Sequence, residues 1–321
     1  MTTTPAWSSG RRRKGDFIYR WSATAGGLLV LGLLGAISAF LVIRAVPALT
    51  SDHASFLTTR KWDPDGSQVF GIAALAFGTV LSSAIALALA LPVALGTSVF
   101  ITQYAPRSVA TPIAYLVDLL AAVPSVVYGL WGYFFLLPRL VPVQHALSHG
   151  LGWIPLFSDP DGQAATFSKS VFGASVVLAI MIVPIISAIS REVMVQADST
   201  HREAALALGA TRWEAIRLSV LAPSRPGLIS AAMLGLGRAL GETIAVAIVI
   251  GSSFGLSWRI LVPGGNTIAA NIANKFGEAG GMGRSALIAS GLVLFLLTLT
   301  VNLFARLVIA RSGAQRRVAS K

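Results

Sequence analysis

Six stretches of the chain are apolar almost without interruption, near positions 21–43, 70–97, 111–137, 170–190, 226–251 and 285–310. Each reaches the roughly 20 residues that an α-helix, rising about 1.5 Å per residue, needs to cross a hydrocarbon core about 30 Å thick. The pattern predicts an all-α integral membrane protein with about six transmembrane helices. No charged residue occurs between Asp65 and Arg107, and only Asp118 between Arg107 and Arg139. The stretch from 66 to 106 has room for one long span or two tight ones, and topology decides for one.

With six spans both termini share a side, and both are basic: Arg11 to Lys14 with Arg20 at one end, and Arg311, Arg316, Arg317 and Lys321 at the other. The polar loop at 191–225, with Arg202, Arg212 and Arg217, falls on that same side. The opposite side receives Asp52, Asp63, Asp65, Asp159, Asp161 and Glu278. Basic loops mark the cytoplasmic face, so both termini are expected there. The predicted organisation is a tail at 1–20, a membrane domain at 21–310 and a tail at 311–321. The outer segments 44–69, 138–169 and 252–284 read as short helices and turns, with Trp62, Trp153 and Trp258 as interfacial anchors. No internal repeat and no second, soluble domain is discernible.

Composition agrees. The 321 residues are 55% hydrophobic and 12% charged, about half the charged share of a soluble domain. The net charge of +12 lies mainly in short segments between apolar runs, so it reads as topology and not as a nucleic-acid face. Cysteine is absent, which excludes disulfides, thiolate metal sites and cysteine catalysis. Arg11 to Lys14 ahead of an apolar run mimics a signal peptide, but 21–43 is too long for one and is expected to remain as an anchor. His145 and His149 lack a third ligand nearby and read as a surface pair, so no metal is expected. Lys169-Ser170 lacks the glycines of a nucleotide-binding loop. The chain is therefore expected to bind no cofactor and to have no ATPase site of its own.

The loop between the fourth and fifth runs contains Thr200 with Glu203 and Thr211 with Glu214, each spaced as a capping box, with Gly209 between them. A capping hydroxyl and a carboxylate three residues on satisfy each other's backbone amides. Glycine suits the left-handed end of a helix. Two short helices joined at Gly209 and Ala210 are predicted. The first, mostly Ala and Leu, has little bulk, so another protein surface can approach its backbone closely. A structural loop that docks nowhere is the plainer alternative, and a DNA-reading helix pair is disfavoured by tethering to membrane at both ends.

The fifth run contains Arg238 about 18 Å along its helix, near the bilayer midplane. A charge there costs at least ~2.5 kcal/mol and usually faces a cavity or a partner. Glu242 follows four residues on, which a continuous helix places on the same face. The two either neutralise each other to hold the bundle together, or form a site: Arg238 offering its fork of donors to a tetrahedral oxyanion, with Glu242 holding the arginine in place. Gly227, Ala231 and Gly235 recur every four residues, as do Gly237 and Gly241, a spacing that favours close helix packing. Asp118 reads chiefly as the partner of a cation or of a backbone amide, and less as a pathway residue. Pro124 should break or kink the third span, leaving Ser125 and Tyr128 to face a pore.

Glu203-Ala204-Ala205, followed after three residues by Gly209, resembles the EAA signature of ABC importer permeases, whose loop docks on a cytoplasmic ATPase. The run Glu203 to Glu214 is similar to the phosphate-importer branch, which usually ends the motif in Leu-Pro, whereas here Leu221-Ala222-Pro223 places the proline one residue later. Gly235 to Thr243 resembles the corresponding helix of the PstC-type permeases of phosphate ABC importers. So do Gly15 to Arg20, Phe70-Gly71-Ile72, Tyr104 to Pro106 and Pro124 to Gly132, and the resemblance therefore covers most of the chain. It implies a type I ABC importer transmembrane domain in a bacterial plasma (inner) membrane, with Arg238, Glu242 and Thr243 on the path of high-affinity phosphate import. It places Thr200, Glu203, Ala204, Ala205, Gly209, Arg212 and Glu214 against the ATPase. The partners it implies are a homologous second permease, a cytoplasmic ATPase dimer using ATP and Mg, an external phosphate-binding protein, phosphate itself and membrane lipid. The alternatives are an ABC permease for another oxyanion or solute, a secondary transporter or channel, and a membrane scaffold.

Overall fold

A computed structural model describes residues 14–51, 55–165 and 169–319. Arg11, Arg12, Arg13, Asp52 and Lys321, used above, lie outside the described residues. The helices are α1 (Lys14–Ser51), α2 (Ala73–Val99), α3 (Arg107–Ala122), α4 (Ser125–Trp131), α5 (Leu137–Leu151), α6 (Val171–Val195), α7 (Ser199–Ala207), α8 (Arg212–Ile216), α9 (Ala222–Gly241), α10 (Ile244–Val249), α11 (Ile268–Lys275) and α12 (Gly281–Ala319). Two short antiparallel strands, β1 (Trp62–Asp63) and β2 (Val69–Phe70), form a hairpin ahead of α2.

Among the described residues, five helical stretches are long and apolar enough to cross a membrane: Phe17–Ser51, Ala73–Tyr104, Ser125–Leu151, Val171–Val195 and Gly281–Leu307. The first, second, fourth and sixth predicted runs correspond to four of these. The charge-free stretch from 66 to 106 holds one span, as topology required. The third and fifth runs are each divided. The third is interrupted at Pro124, as expected, with α3 ending at Ala122, but the long helix that starts at Ser125 continues through α5 to Leu151, well into the outer segment predicted to hold short helices and turns. The fifth is divided after Gly241 into α9 and α10.

The helix persists past Pro138 because a π turn at Gly132–Leu136 precedes it. Proline lacks an N–H, and its ring clashes with the carbonyl four residues back; that residue, Phe134, lies inside the widened turn. The Arg139 guanidinium donates to the Phe135 carbonyl at 2.9 Å and stacks on the Phe135 ring at 3.6 Å. A second π turn, Arg217–Leu221, stands in the same relation to Pro223. It sits where this chain places its proline one residue late, and the helix runs on through it.

The core forms between α2, α6 and α9. Ala86, Ala90 and Ala94 line one face of α2 and are fully buried in one cluster with Leu178, Ile182 and Ile186 of α6. Small residues let the two backbones approach, and hydroxyls then bridge them: Ser98 Oγ donates to the Ser187 carbonyl at 2.9 Å, and Ser187 Oγ to the Ala94 carbonyl at 3.2 Å. The predicted Gly227, Ala231, Gly235 stripe seats α9 on α6, where a Cβ at Gly227 would meet Val193 and one at Gly235 would meet Ile186. The stripe at Gly237 and Gly241 is different, because nothing lies within 4 Å of where their Cβ atoms would stand. That face of α9 is open in the single chain.

At the end of the molecule bearing the hairpin, Trp62 stacks on Phe254 and packs edge-on against Phe70. It is half-buried against the aromatic cluster, whereas Trp153 and Trp258 are exposed. The Asp65 carboxylate accepts from the amides of Gly280 at 2.9 Å and Gly283 at 2.8 Å, fastening the hairpin to the start of α12. Such a carboxylate satisfies amides that a helix leaves unpaired at its N-terminus.

Candidate functional site

Two interrupted helices meet at the centre of the chain. The α3–α4 break is set by Pro124, which disfavours helical geometry at the residue before it. Val123 and Pro124 are both extended, with ψ of 130° and 139°. Tyr128, one turn into α4, closes over the gap and donates its hydroxyl to the Leu120 carbonyl at 2.8 Å. The α9–α10 break occurs at Glu242, also extended, with ψ of 126°. Glu242 Oε1 accepts from the amide of Ala245 at 3.2 Å, and Thr243 Oγ1 donates to the Gly241 carbonyl at 3.1 Å. Each interruption thus has its own side-chain bond to backbone beside the break.

The outgoing halves pack on each other through glycine. A Cβ on Gly129 of α4 would lie 2.9 Å from Ala245 Cα in α10, and one on Gly132 would lie 2.8 Å from a Val177 methyl group. Tyr128 and Glu242 are thereby held on either side of one seam.

Arg238 stands in the last turn of α9, where a cation suits the helix dipole. Its side chain is exposed. The expectation that Glu242 holds Arg238 is corrected. The ion pairs among the described residues are Arg191–Asp118 and Lys275–Glu278, and neither contains Arg238 or Glu242. The cause is the break: four-residue spacing brings side chains together only on a continuous helix, and this one stops at Gly241. Glu242 instead caps α10, leaving Arg238 on the same open face as Gly237 and Gly241. Ser125 is half-buried near the α3–α4 break and makes no hydrogen bond there among those described.

Asp118 has the cation partner expected for it. Arg191 Nη2 of α6 donates to both carboxylate oxygens at 3.0 Å, which ties α3 to α6. Arg191 Nη1 is buried beside the pair with no acceptor.

The loop after α6 contains α7, a turn and α8. Gly209 has a φ of +88°, the left-handed conformation that favours glycine. The Thr211–Glu214 capping box is present: Thr211 Oγ1 receives the Glu214 amide, and the Glu214 carboxylate accepts the Thr211 amide at 2.8 Å. That backbone bond holds the Glu214 carboxyl below its ordinary value. The predicted Thr200–Glu203 box is corrected. Asp198 caps α7 by accepting the Thr200 amide at 2.9 Å, and this bond likewise lowers the Asp198 carboxyl. The start of α7 therefore lies one residue ahead of Thr200, which sits within the first turn. Arg202 donates to Gln103 at 3.0 Å and Arg212 lies over Tyr104, so the loop rests on the end of the Ala73–Tyr104 span.

The second loop helix is not a separate short element, as expected, because α8, the π turn and α9 form one helix from Arg212 to Gly241. At about 1.5 Å per residue it spans roughly 45 Å and joins the loop directly to Arg238. Exposed Leu206, Leu208 and Trp213 mark the loop's surface. Glu203, Ala204 and Ala205 lie within α7.

Residues 90–313 match the family model described as "Binding-protein-dependent transport system inner membrane component", and the chain belongs to that family, a class of multi-pass membrane permease. Within it, the chain is 44% identical over 297 residues to the phosphate transport system permease protein PstC 2 of Mycobacterium tuberculosis, covering 92% of this chain and 91% of that protein. It is 44% identical to the PstC permease of Mycobacterium leprae (95% and 96% covered) and 39% to that of Haemophilus influenzae (92% and 93%). Among solved structures, a bacterial ABC transporter that imports the polysaccharide alginate aligns with a TM-score of 0.59 at 16% identity, covering 94% of this chain and 99% of that one. The inward-facing methionine transporter MetNI aligns with a TM-score of 0.53 at 15% identity, over 74% and 93%. These two likenesses concern the fold.

Proposed function

We propose that this chain is the permease subunit of an ATP-driven importer of inorganic phosphate, with Arg238 on the path. The main support is an exposed guanidinium without a carboxylate partner among the described residues, set between two broken helices on an open glycine face. A charge at that depth without a counter-ion is costly unless it faces a polar cavity, and a planar fork of N–H donors suits a tetrahedral oxyanion. The kinship with phosphate permeases supplies the choice of oxyanion. Glu242 and Thr243 act by fixing the break, and Tyr128 by closing the facing one. Asp118 holds α3 to α6 and does not meet substrate.

The open face of α9 suits a second, homologous permease, the pathway lying between the two. Both termini and the α7–α8 loop face the cytoplasm, by the distribution of basic residues. There α7, with Thr200, Glu203, Ala204 and Ala205, together with Gly209, Arg212 and Glu214, meets a cytoplasmic ATPase dimer. ATP and Mg are used by that partner, and this chain contributes no hydrolytic step. The continuous helix from Arg212 carries the motion of the loop to the Arg238 seam. An external phosphate-binding protein delivers the anion to the outer face.

The test is labelled phosphate uptake in cells lacking their own high-affinity importer, with all partner subunits supplied. The reading expects energy-dependent uptake that excess sulfate does not suppress. Uptake suppressed by sulfate transfers the chain to another oxyanion, and uptake independent of the ATPase revives the secondary-transporter reading.

A further inference from the structure

One cationic side chain at the outer end of the bundle has no role in the account above. Lys169 stands two residues ahead of α6, and its backbone is fixed from its carbonyl onward. Its carbonyl accepts the Gly264 amide at 3.3 Å, and Ser170 bridges to Pro263 and caps α6 by accepting the Gly173 amide. Its ammonium lies 4.6 Å from the centre of the Tyr133 ring, a cation–π contact. The two side chains line a cavity of about 550 Å³ together with Gly251, Ser252, Ser253 and Gly264.

Among the described residues, no carboxylate lines this cavity. Of the outer acidic groups named above, Asp63 bonds Ser67, Asp65 the start of α12, Asp159 the amides of Gln163 and Ala164, and Glu278 pairs with Lys275, while Asp161 is exposed and does not line the cavity. The ammonium therefore faces an aromatic ring, hydroxyls and backbone in a space large enough for a hydrated oxyanion. The cavity's place in the fold gives it a use. Gly251 lies just beyond α10, whose other end is the Glu242 break, and Tyr133 lies five residues beyond Tyr128 on one unbroken helix. At about 1.5 Å per residue the cavity stands roughly 8–9 Å outward of the Arg238 seam.

We propose that Lys169 and Tyr133 form an outer receiving site for a small oxyanion, which holds the released anion before it passes inward to Arg238. This rests on the phosphate-import reading and its orientation. Lysine suits the role because a flexible ammonium binds phosphate as a point charge and does not fix it in the two-pronged grip of arginine.

The chain's lack of cysteine allows a direct test. In the complete transporter, Lys169→Cys introduces a thiol that methanethiosulfonate reagents convert to an ammonium or to a sulfonate, with the unsubstituted complex treated in parallel. The expected result is about a tenfold loss of phosphate uptake at matched membrane levels, on the scale of one charge-assisted hydrogen bond. The ammonium reagent should restore uptake and the sulfonate reagent should not. Lys169→Arg should retain most activity, showing that the position tolerates exchange when charge is kept. In proteoliposomes without the binding protein, millimolar phosphate should slow modification of the thiol. Equal effects of the two reagents, or no protection by phosphate, would overturn the site. Protection only when binding protein is added would assign Lys169 to that protein's docking surface and also overturn it. Absence of phosphate uptake by the unsubstituted transporter would instead strike the import reading, while protection of the thiol would still report an anion site.

Discussion

Glu242 turns away from Arg238 and accepts the amide of Ala245 at 3.2 Å. A charge pair suggested by spacing is replaced by a carboxylate that shapes backbone, and the arginine is left available. Removing the cap should therefore do more harm than removing the charge. Glu242→Gln keeps a side-chain oxygen for Ala245 and should retain most transport. Glu242→Ala loses it, at a cost of about 0.5–2 kcal/mol by analogy with helix caps, and should lower uptake severalfold. Uptake at matched membrane levels checks the order of the two. Equal loss in both would mean the negative charge itself is required.

Gly129 should tolerate no side chain. A Cβ there would stand 2.9 Å from Ala245 Cα, and backbone cannot rotate aside as a flexible side chain can. Gly129→Ala should destabilise the detergent-solubilised protein by about 1–3 kcal/mol, the usual range for overpacking, seen as a lower unfolding temperature. Gly237→Ala, with open space around it, should leave that temperature unchanged or slightly raised.

Asp118 and Arg191 should be energetically coupled. Their side chains are 45% and 22% exposed, so solvent screening discounts the pair and a coupling of about 1 kcal/mol is expected. Arg191 is the more buried partner. Asp118→Ala should therefore cost more than the double variant Asp118→Ala/Arg191→Leu, since it leaves a partly buried cation alone. A double-mutant cycle on thermal unfolding measures this, and strict additivity would refute the coupling.

The turn at Gly209 should be sensitive to backbone preference and not to bulk. At a φ of +88° most L-residues are strained by roughly 1–2 kcal/mol, and asparagine less so. Gly209→Val should reduce the coupling of ATP hydrolysis to uptake more than Gly209→Asn, with both proteins still reaching the membrane. The ratio of phosphate moved to ATP hydrolysed in proteoliposomes reads the effect.

Much of this architecture is legible in the sequence because lipid imposes a simple demand, that a span be apolar and long. That demand locates α1, α2, α6 and α12, and it singles out Arg238 and Asp118 as charges in need of explanation. Local chemistry with one solution is equally visible: the Thr211–Glu214 box, the left-handed Gly209 and the interruption at Pro124. Asp198 shows what local pattern misses, because an aspartate two residues ahead of Thr200 competes for the same amide and wins. The break at Glu242 is hidden for a different reason. No proline marks it, and the segment after it is as apolar as a continuous span, so only packing of Ala245 on Gly129 discloses it. Pro138 and Pro142 mislead in the opposite sense: they suggest a loop, yet α5 contains both, with a π turn preceding Pro138.

The central claim is that Arg238 serves the passage of the anion and not the stability of the fold. The measurement that tests it most directly is made on reconstituted transporter carrying Arg238→Ala, with phosphate uptake and binding-protein-stimulated ATP hydrolysis followed in the same vesicles. The account predicts that uptake falls at least tenfold while stimulated hydrolysis continues, because the α7–α8 loop and the helix from Arg212 remain intact. Uptake that persists at the unsubstituted level would contradict it and remove Arg238 from the path.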